Sequence, residues 1–214
     1  QDEREDWRSH CSLYLAASRR HDNSEECVQI LLDAGAAVDL ADAGGMTILL
    51  LACEKGRSLA IVRLLLEAGA NTNRQGNSGW SALYVASLHG HLEHVRLLLD
   101  FGADPNIADS NDWTPLVRAT RYEYLEIMRL LIEGGARVNS INTYGRTALF
   151  DAESAEAVQL LLQHGSDPRI RSNEGKTAFQ FYDSILASAT RHLFENWTPH
   201  QMLSLGSICI SSLH

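Results

Sequence analysis

Apolar residues arrive in short bursts that repeat. Between Gly79 and Asn106, Leu83 and Ala86 mark one short helix, the chain turns at Gly90 and His91, and Leu97, Leu98 and Leu99 close a second helix before Gly102 and Ala103. Helical spacing puts such residues on one face, so each burst predicts an amphipathic helix with a single buried side. Gly-Ala pairs begin at Gly35, Gly69, Gly102 and Gly135, with Gly165 and Ser166 in the next place, giving steps of 34, 33, 33 and 30. A fixed period of this length predicts a row of helical pairs, each burying its faces on its neighbours.

An independent marker keeps the same phase. Gly45, Gly79, Asp112, Gly145 and Gly175 also step by 34, 33, 33 and 30, and each lies 10 residues after a Gly-Ala glycine. From marker to the next Gly-Ala position the count is 24, 23, 23 and 20, so all length variation falls in the helical half. The constant loop predicts a β-hairpin-like turn. Thr47, Ser81, Thr114, Thr147 and Thr177 follow it as expected helix caps. Leu49, Leu83, Leu116 and Leu149 aim the first helix at the core, and Ala52, Ala86, Ala119 and Ala152 let helices approach. The Gly-Ala glycines end the second helix, where a residue without a β-carbon turns left-handed.

Two departures carry expectations. Asp112 stands in the marker's glycine place, where Asp tolerates the left-handed region better than most residues. Glu123 replaces the glycine of the inter-helix turn, so an altered helix junction is expected in the fourth unit. The fifth unit is three residues short between Asp151 and Val158, close to one helical turn, which predicts a stunted first helix.

On these residues the chain resembles an ankyrin-repeat protein. The D-x-x-G-x-T-P-L-H pattern is matched by Asp109, Asp112, Thr114, Pro115 and Leu116, more loosely by Asp42, Gly45 and Thr47, and again by Gly145, Thr147 and Leu149. The resemblance covers roughly residues 10 to 195. It implies an all-α solenoid of stacked helix-turn-helix units joined by β-hairpin loops. Residues 1–10 read as a polar N-terminal end, 11–196 as about six repeats including two caps, and 197–214 as an extra C-terminal helix. Leu13, Leu15, Ala16 and Ala17, then Val28, Ile30, Leu31 and Leu32, form the degenerate first pair; Phe179, Phe181, Tyr182, Ile185, Leu186, Leu193 and Phe194 belong to the closing one.

The bulk numbers narrow the functions. The net charge is -9 with no run of five basic residues, against phosphate-backbone binding as the main task. Cys11, Cys27, Cys53 and Cys209 are far apart and without CxxC spacing, which predicts reduced, mostly packed thiols. Gln1 to His10 are polar, and no apolar run approaches the ~18 residues of a membrane span. The expected setting is the cytoplasm or the nucleus, with no membrane and no nucleic acid. No paired-carboxylate, Ser-His-Asp, phosphate-loop or kinase signature is present, so neither catalysis nor a cofactor is expected. His89, His91 and His94 lie close in sequence, yet a zinc site needs more convergent ligands than these. The resemblance gives His91 a turn-packing role instead.

The resemblance also implies a concave partner-binding face made of hairpin tips and the exposed side of the first helices. Residue by residue, that places Met46, Ser78, Trp80, Asn111, Trp113, Tyr144 and Arg146 on hairpins, with Leu88, His89, Arg121 and Tyr122 on helices. Trp, Tyr and Arg are the types that most often anchor interfaces; the alternative for each Trp is packing across its neighbouring hairpin. In the tail, Ser204, Leu205, Ile208, Cys209 and Leu213 fit the opening pattern of a SOCS box, which in one family of ankyrin-containing ubiquitin-ligase adaptors binds elongin C of the elongin B/C pair. A helix that only covers the last repeat fits the same stripe, and Ile210 stands where that family often carries Arg. Asn73, Asn106 and Asn139, each eight residues after Leu65, Leu98 or Leu131, fall where ankyrin asparagines can be hydroxylated, although hydrogen-bonding the loop is their ordinary work. A third class of reading makes the repeats the regulatory region of a larger enzyme.

Overall fold

A computed structural model describes residues 12–17 and 23–182. Every sequence expectation for residues 1–11, 18–22 and 183–214 lies outside the described residues. Among these are the closing repeat beyond Tyr182, Cys11, and the tail set Leu205, Ile208, Cys209 and Leu213.

The described elements are all helical: α1 (residues 12–17), α2 (Ser24–Asp33), α3 (Ile48–Glu54), α4 (Leu59–Glu67), α5 (Ala82–Leu88), α6 (Leu92–Asp100), α7 (Pro115–Arg121), α8 (Leu125–Glu133), a 3-10 turn (Ala148–Asp151), α9 (Ala155–Gln163) and α10 (Ala178–Tyr182). Among the described residues the extended pairing is limited to isolated antiparallel bridges, Ala41 with Thr47 and Arg171 with Thr177. The chain divides into two compact units, Gln1–Ser110 and Asn111–His214.

In the first unit, α3 packs on α5, while α2, α4 and α6 stack as the second layer. Leu49, Ala52, Leu83 and Ala86 are buried between them, together with Leu65 and Leu98 from the second helices. Alanine at 52 and 86 leaves no side chain beyond Cβ to hold the helices apart. Thr47 and Ser81 cap α3 and α5, accepting from Leu50 N and Tyr84 N at 3.2 Å. Neighbouring hairpins are tied loop to loop: Asn77 N donates to Gly44 O at 3.1 Å, Asn77 Nδ2 to Ala43 O at 2.9 Å, and Ser110 N to Ser78 O at 3.1 Å. These bonds satisfy backbone groups that a lone hairpin would leave to water.

In the second unit, α7 packs on α8 and on the 3-10 turn, and α9 packs on α8 and the same turn. Thr114 caps α7 from Val117 N at 3.4 Å, and Thr177 accepts from Gln180 N at 3.3 Å. Thr143 N donates to Asn111 O at 3.2 Å and Asn173 N to Tyr144 O at 3.0 Å, repeating the hairpin ties of the first unit.

Several local expectations meet the backbone here. Asp112 takes the left-handed conformation, with φ 59. Glu123 does so too, at φ 58, and Tyr124 N reaches Ala119 O at 2.9 Å, as Arg57 N reaches Ala52 O and His91 N reaches Ala86 O. The expected alteration of the helix junction at Glu123 is therefore absent; the backbone keeps the glycine geometry and bears the left-handed strain of a residue with a Cβ. The shortened fifth unit has four residues of 3-10 helix where α5 and α7 each have seven of α-helix. Its Thr147 makes no cap, because a 3-10 turn places the N–H groups differently, and its Oγ1 is buried without a partner. Cys53 is buried, and burial pushes its thiol up to about 12, but Cys27 is exposed on α2, against the expectation of a packed thiol.

Candidate functional site: the hairpin tips and first-helix flanks

In the first unit Met46 and Trp80 are half-buried, Ser78 is exposed, Leu88 is half-buried and His89 is exposed. The Trp80 ring stacks on Tyr84 with centroids 6.0 Å apart and planes at 17°. Tyr84 is fully buried, and its hydroxyl donates to Asp109 at 2.7 Å. Trp80 is thus fixed from beneath by an aromatic floor and keeps its outer face at the surface.

His89, His91 and His94 form a row, with ring centroids 5.9 and 5.4 Å apart. His91 packs against Gly56, where an added Cβ would lie 2.6 Å from its Cε1, and His94 Nε2 meets Arg57 O at 2.8 Å. Burial is the main cause that lowers the pKa of both His91 and His94, and neighbouring imidazoles lower His91 further. His91 and His94 thus tie successive repeats together. Among the described residues no group of three or more His, Cys, Asp or Glu is placed to hold a metal ion.

The second unit brings the anticipated residues together and adds two that sequence reasoning missed. Trp113 is half-buried at its hairpin, with the Arg118 guanidinium 4.5 Å and the Arg121 guanidinium 5.6 Å from its ring centroid. Arg121 Nη1 lies 3.5 Å from Asp151 Oδ1. From the next hairpin, Arg146 sits 5.8 Å over Tyr144 and 4.2 Å over Phe181, and its Nη2 pairs with Glu174 at 3.0 Å. Tyr122 and Tyr144 are 48% and 55% exposed, large apolar rings that the fold leaves at the surface. Asn111 is exposed beside Trp113.

Arg118 and Asp151 are the residues missed. Both lie six positions after the hairpin marker, the column that reads Leu51, Val85, Arg118, Asp151 and Phe181. In the first unit the column is core, since Leu51 and Val85 are buried. Two consecutive charges in an otherwise apolar column were the available signal. Only 12% of the Asp151 side chain is exposed, and its Oδ2 makes no hydrogen bond. Burial raises its carboxyl from the ordinary 3.8 to about 6, against the opposing pull of Arg121, Arg146 and Arg118.

The loop asparagines are engaged in their hairpins. Asn73 Oδ1 accepts from Asp104 N at 2.8 Å, Asn106 Nδ2 donates to Asp104 at 3.1 Å, and Asn139 bridges Gly165 O and Asp167 N at 2.9 and 2.8 Å. Leu65, Leu98 and Leu131, eight residues upstream, are buried. Among the described residues no helix is long and apolar enough to cross a membrane.

Comparison with known proteins agrees with this architecture. A family profile described as ankyrin repeats (3 copies) matches residues 13–109 and 101–172. Over 80 residues the chain is 38% identical to the probable E3 ubiquitin-protein ligase XBOS32 of Oryza sativa subsp. japonica, a match covering 37% of this chain and 15% of that protein. The chain therefore spans only a small part of that relative's length. With helical pairs at a constant hairpin spacing and a profile match across residues 13–172, the chain belongs to the ankyrin-repeat family.

Proposed function

We infer that the chain is a non-catalytic protein-interaction module that takes a protein partner on its hairpin tips and on the exposed flanks of α5 and α7. The observation that carries this reading is the condition of the tryptophans. Trp80 is stacked on Tyr84, Trp113 lies under the Arg118 and Arg121 guanidiniums, and neither ring is buried. A rigid, half-exposed aromatic loses little conformational freedom on binding, which is why such residues anchor interfaces. Surface rings at Tyr122 and Tyr144 enlarge the apolar area of the second unit.

The test is an affinity capture comparing the natural chain with Trp80→Ala plus Trp113→Ala, with helical circular dichroism and melting as controls. Loss of capture with the fold intact supports the reading. Loss of the fold means the rings serve packing and sinks it.

A second reading gives the captured protein a fate. The relative's printed name is that of a probable ubiquitin-protein ligase, and the Leu205, Ile208, Cys209 and Leu213 stripe resembles an elongin C-binding helix. On this reading the chain is a substrate adaptor of an elongin–cullin ligase. A pull-down with elongin B and C, wild type against Leu205→Ala plus Cys209→Ala, decides it. Wild-type binding lost in the variant supports the adaptor; absence of wild-type binding ends it.

A further inference from the structure

The column that is apolar in the first unit and charged in the second sets the chemistry of the second unit's face. We propose that this face receives an acidic peptide segment whose carboxylate pairs with Arg121, beside Arg118, while a neighbouring apolar side chain of the segment lies against Trp113 and Tyr144. The proposal rests on the binding reading above and supplies the chemical class of the partner.

Charge is the first argument. Acidic residues outnumber basic ones 27 to 18 in the chain, so an acidic segment is repelled by the molecule as a whole and needs a local concentration of cations to settle. Arg118 and Arg121 supply it on one face of α7, both within 5.6 Å of the Trp113 ring centroid. A guanidinium stacked on a ring keeps its N–H groups in its own plane, where a planar carboxylate meets them edge on.

The second argument is the way the guanidiniums are held. Arg146 is engaged by Glu174 at 3.0 Å and lies over Phe181, which makes it part of the framework. Beyond its place over the Trp113 ring, Arg121 has one ion pair among the described residues, with Asp151 at 3.5 Å, beyond the length of a good charge-assisted bond. Asp151 is fixed by the short 3-10 turn and mostly buried, its second oxygen unpartnered, so it does not close on Arg121. A carboxylate arriving from solvent reaches the exposed side of Arg121 without that restraint. Asp151 is thus an internal competitor that an incoming carboxylate displaces.

The experiment selects random peptides by display on the full chain, then measures the synthesised winners by fluorescence polarisation. Winners are expected to carry Asp or Glu beside an aliphatic or aromatic residue. Replacing that carboxylate by its carboxamide should weaken binding about tenfold, Arg121→Gln should do the same, and the two losses should not add. Asp151→Asn should tighten binding several-fold. Peptides lost on Trp113→Ala but indifferent to the carboxamide and to Arg121→Gln would overturn the acidic class while leaving the binding face standing. If no peptide depends on Trp113 or Tyr144, this proposal falls, and if none depends on Trp80 either, the binding reading falls with it.

Discussion

Glu123 reaches across its repeat boundary to hold Ser154. Its carboxylate accepts the backbone N–H of Ser154 at 3.1 Å and of Glu153 at 2.8 Å, and it takes the Ser154 hydroxyl as well. Ser154 in turn caps α9, accepting from Ala157 N at 3.1 Å. The repeat that lost nearly a turn of helix thus begins its surviving helix on an acid borrowed from the preceding repeat. Ser58 and Glu25 make a similar hydroxyl–carboxylate pair at the start of α4 in the first unit.

Glu123 carries a left-handed φ of 58, which costs an ordinary residue about 1 kcal/mol, so two substitutions separate its backbone from its side chain. Glu123→Ala keeps the strain and loses the bonds, and it should destabilise the chain by about 2 kcal/mol. Glu123→Gly relieves the strain and should cost about 1 kcal/mol less than Ala. Urea unfolding measures both. A Gly variant more stable than the natural chain would show that the carboxylate bonds contribute less than the left-handed backbone costs.

The buried carboxyl of Asp151 should leave its mark on stability against pH. Its value in the folded chain, about 6, lies above the ordinary 3.8, so folding favours the protonated form. Its contribution is fully present below 3.8 and is lost as pH rises through about 6. Asp151→Asn should therefore stabilise the chain at neutral pH by on the order of 1–3 kcal/mol and bring little change near the ordinary carboxylate value. Melting curves across that range test this. An Asn variant less stable at neutral pH would mean that the Arg121 pair outweighs burial.

Left-handed glycines should divide by what lies beside them. At Gly79, φ 78, an added Cβ would stand 2.7 Å from Ser110 N and 2.9 Å from Asp109 C, both backbone atoms. At Gly69, φ 87, nothing lies within 4 Å. Gly69→Ala bears conformational strain alone, about 1 kcal/mol, whereas Gly79→Ala must also push the next hairpin aside and should cost at least about 1 kcal/mol more. Thermal melts of equal size for the two would refute the close approach of the loops.

Much of this was legible because the repeat tests each position several times. The hairpin phase, the caps at Thr47, Ser81, Thr114 and Thr177, the left-handed Asp112 and the stunted fifth helix all follow from one loop length and a few residue types. What escaped was compensation between distant residues. Glu123 looked like a lost glycine, since nothing local announces that its carboxylate serves Ser154, 31 residues on. Thr147 looked like its equivalents, yet the three missing residues downstream changed the helix type and left the hydroxyl without its acceptor role. Arg118 and Asp151 stand out only when the column that holds Leu51 and Val85 is followed through every repeat.

The most direct measurement of the binding claim is a hydrogen-exchange footprint of the chain with a captured partner or selected peptide. Protection is predicted at the hairpins around Trp80, Trp113 and Tyr144 and at the exposed ends of α5 or α7, with α4, α6, α8 and α9 unchanged. Protection confined to those second helices, with the hairpins exchanging as in the free chain, would contradict the account.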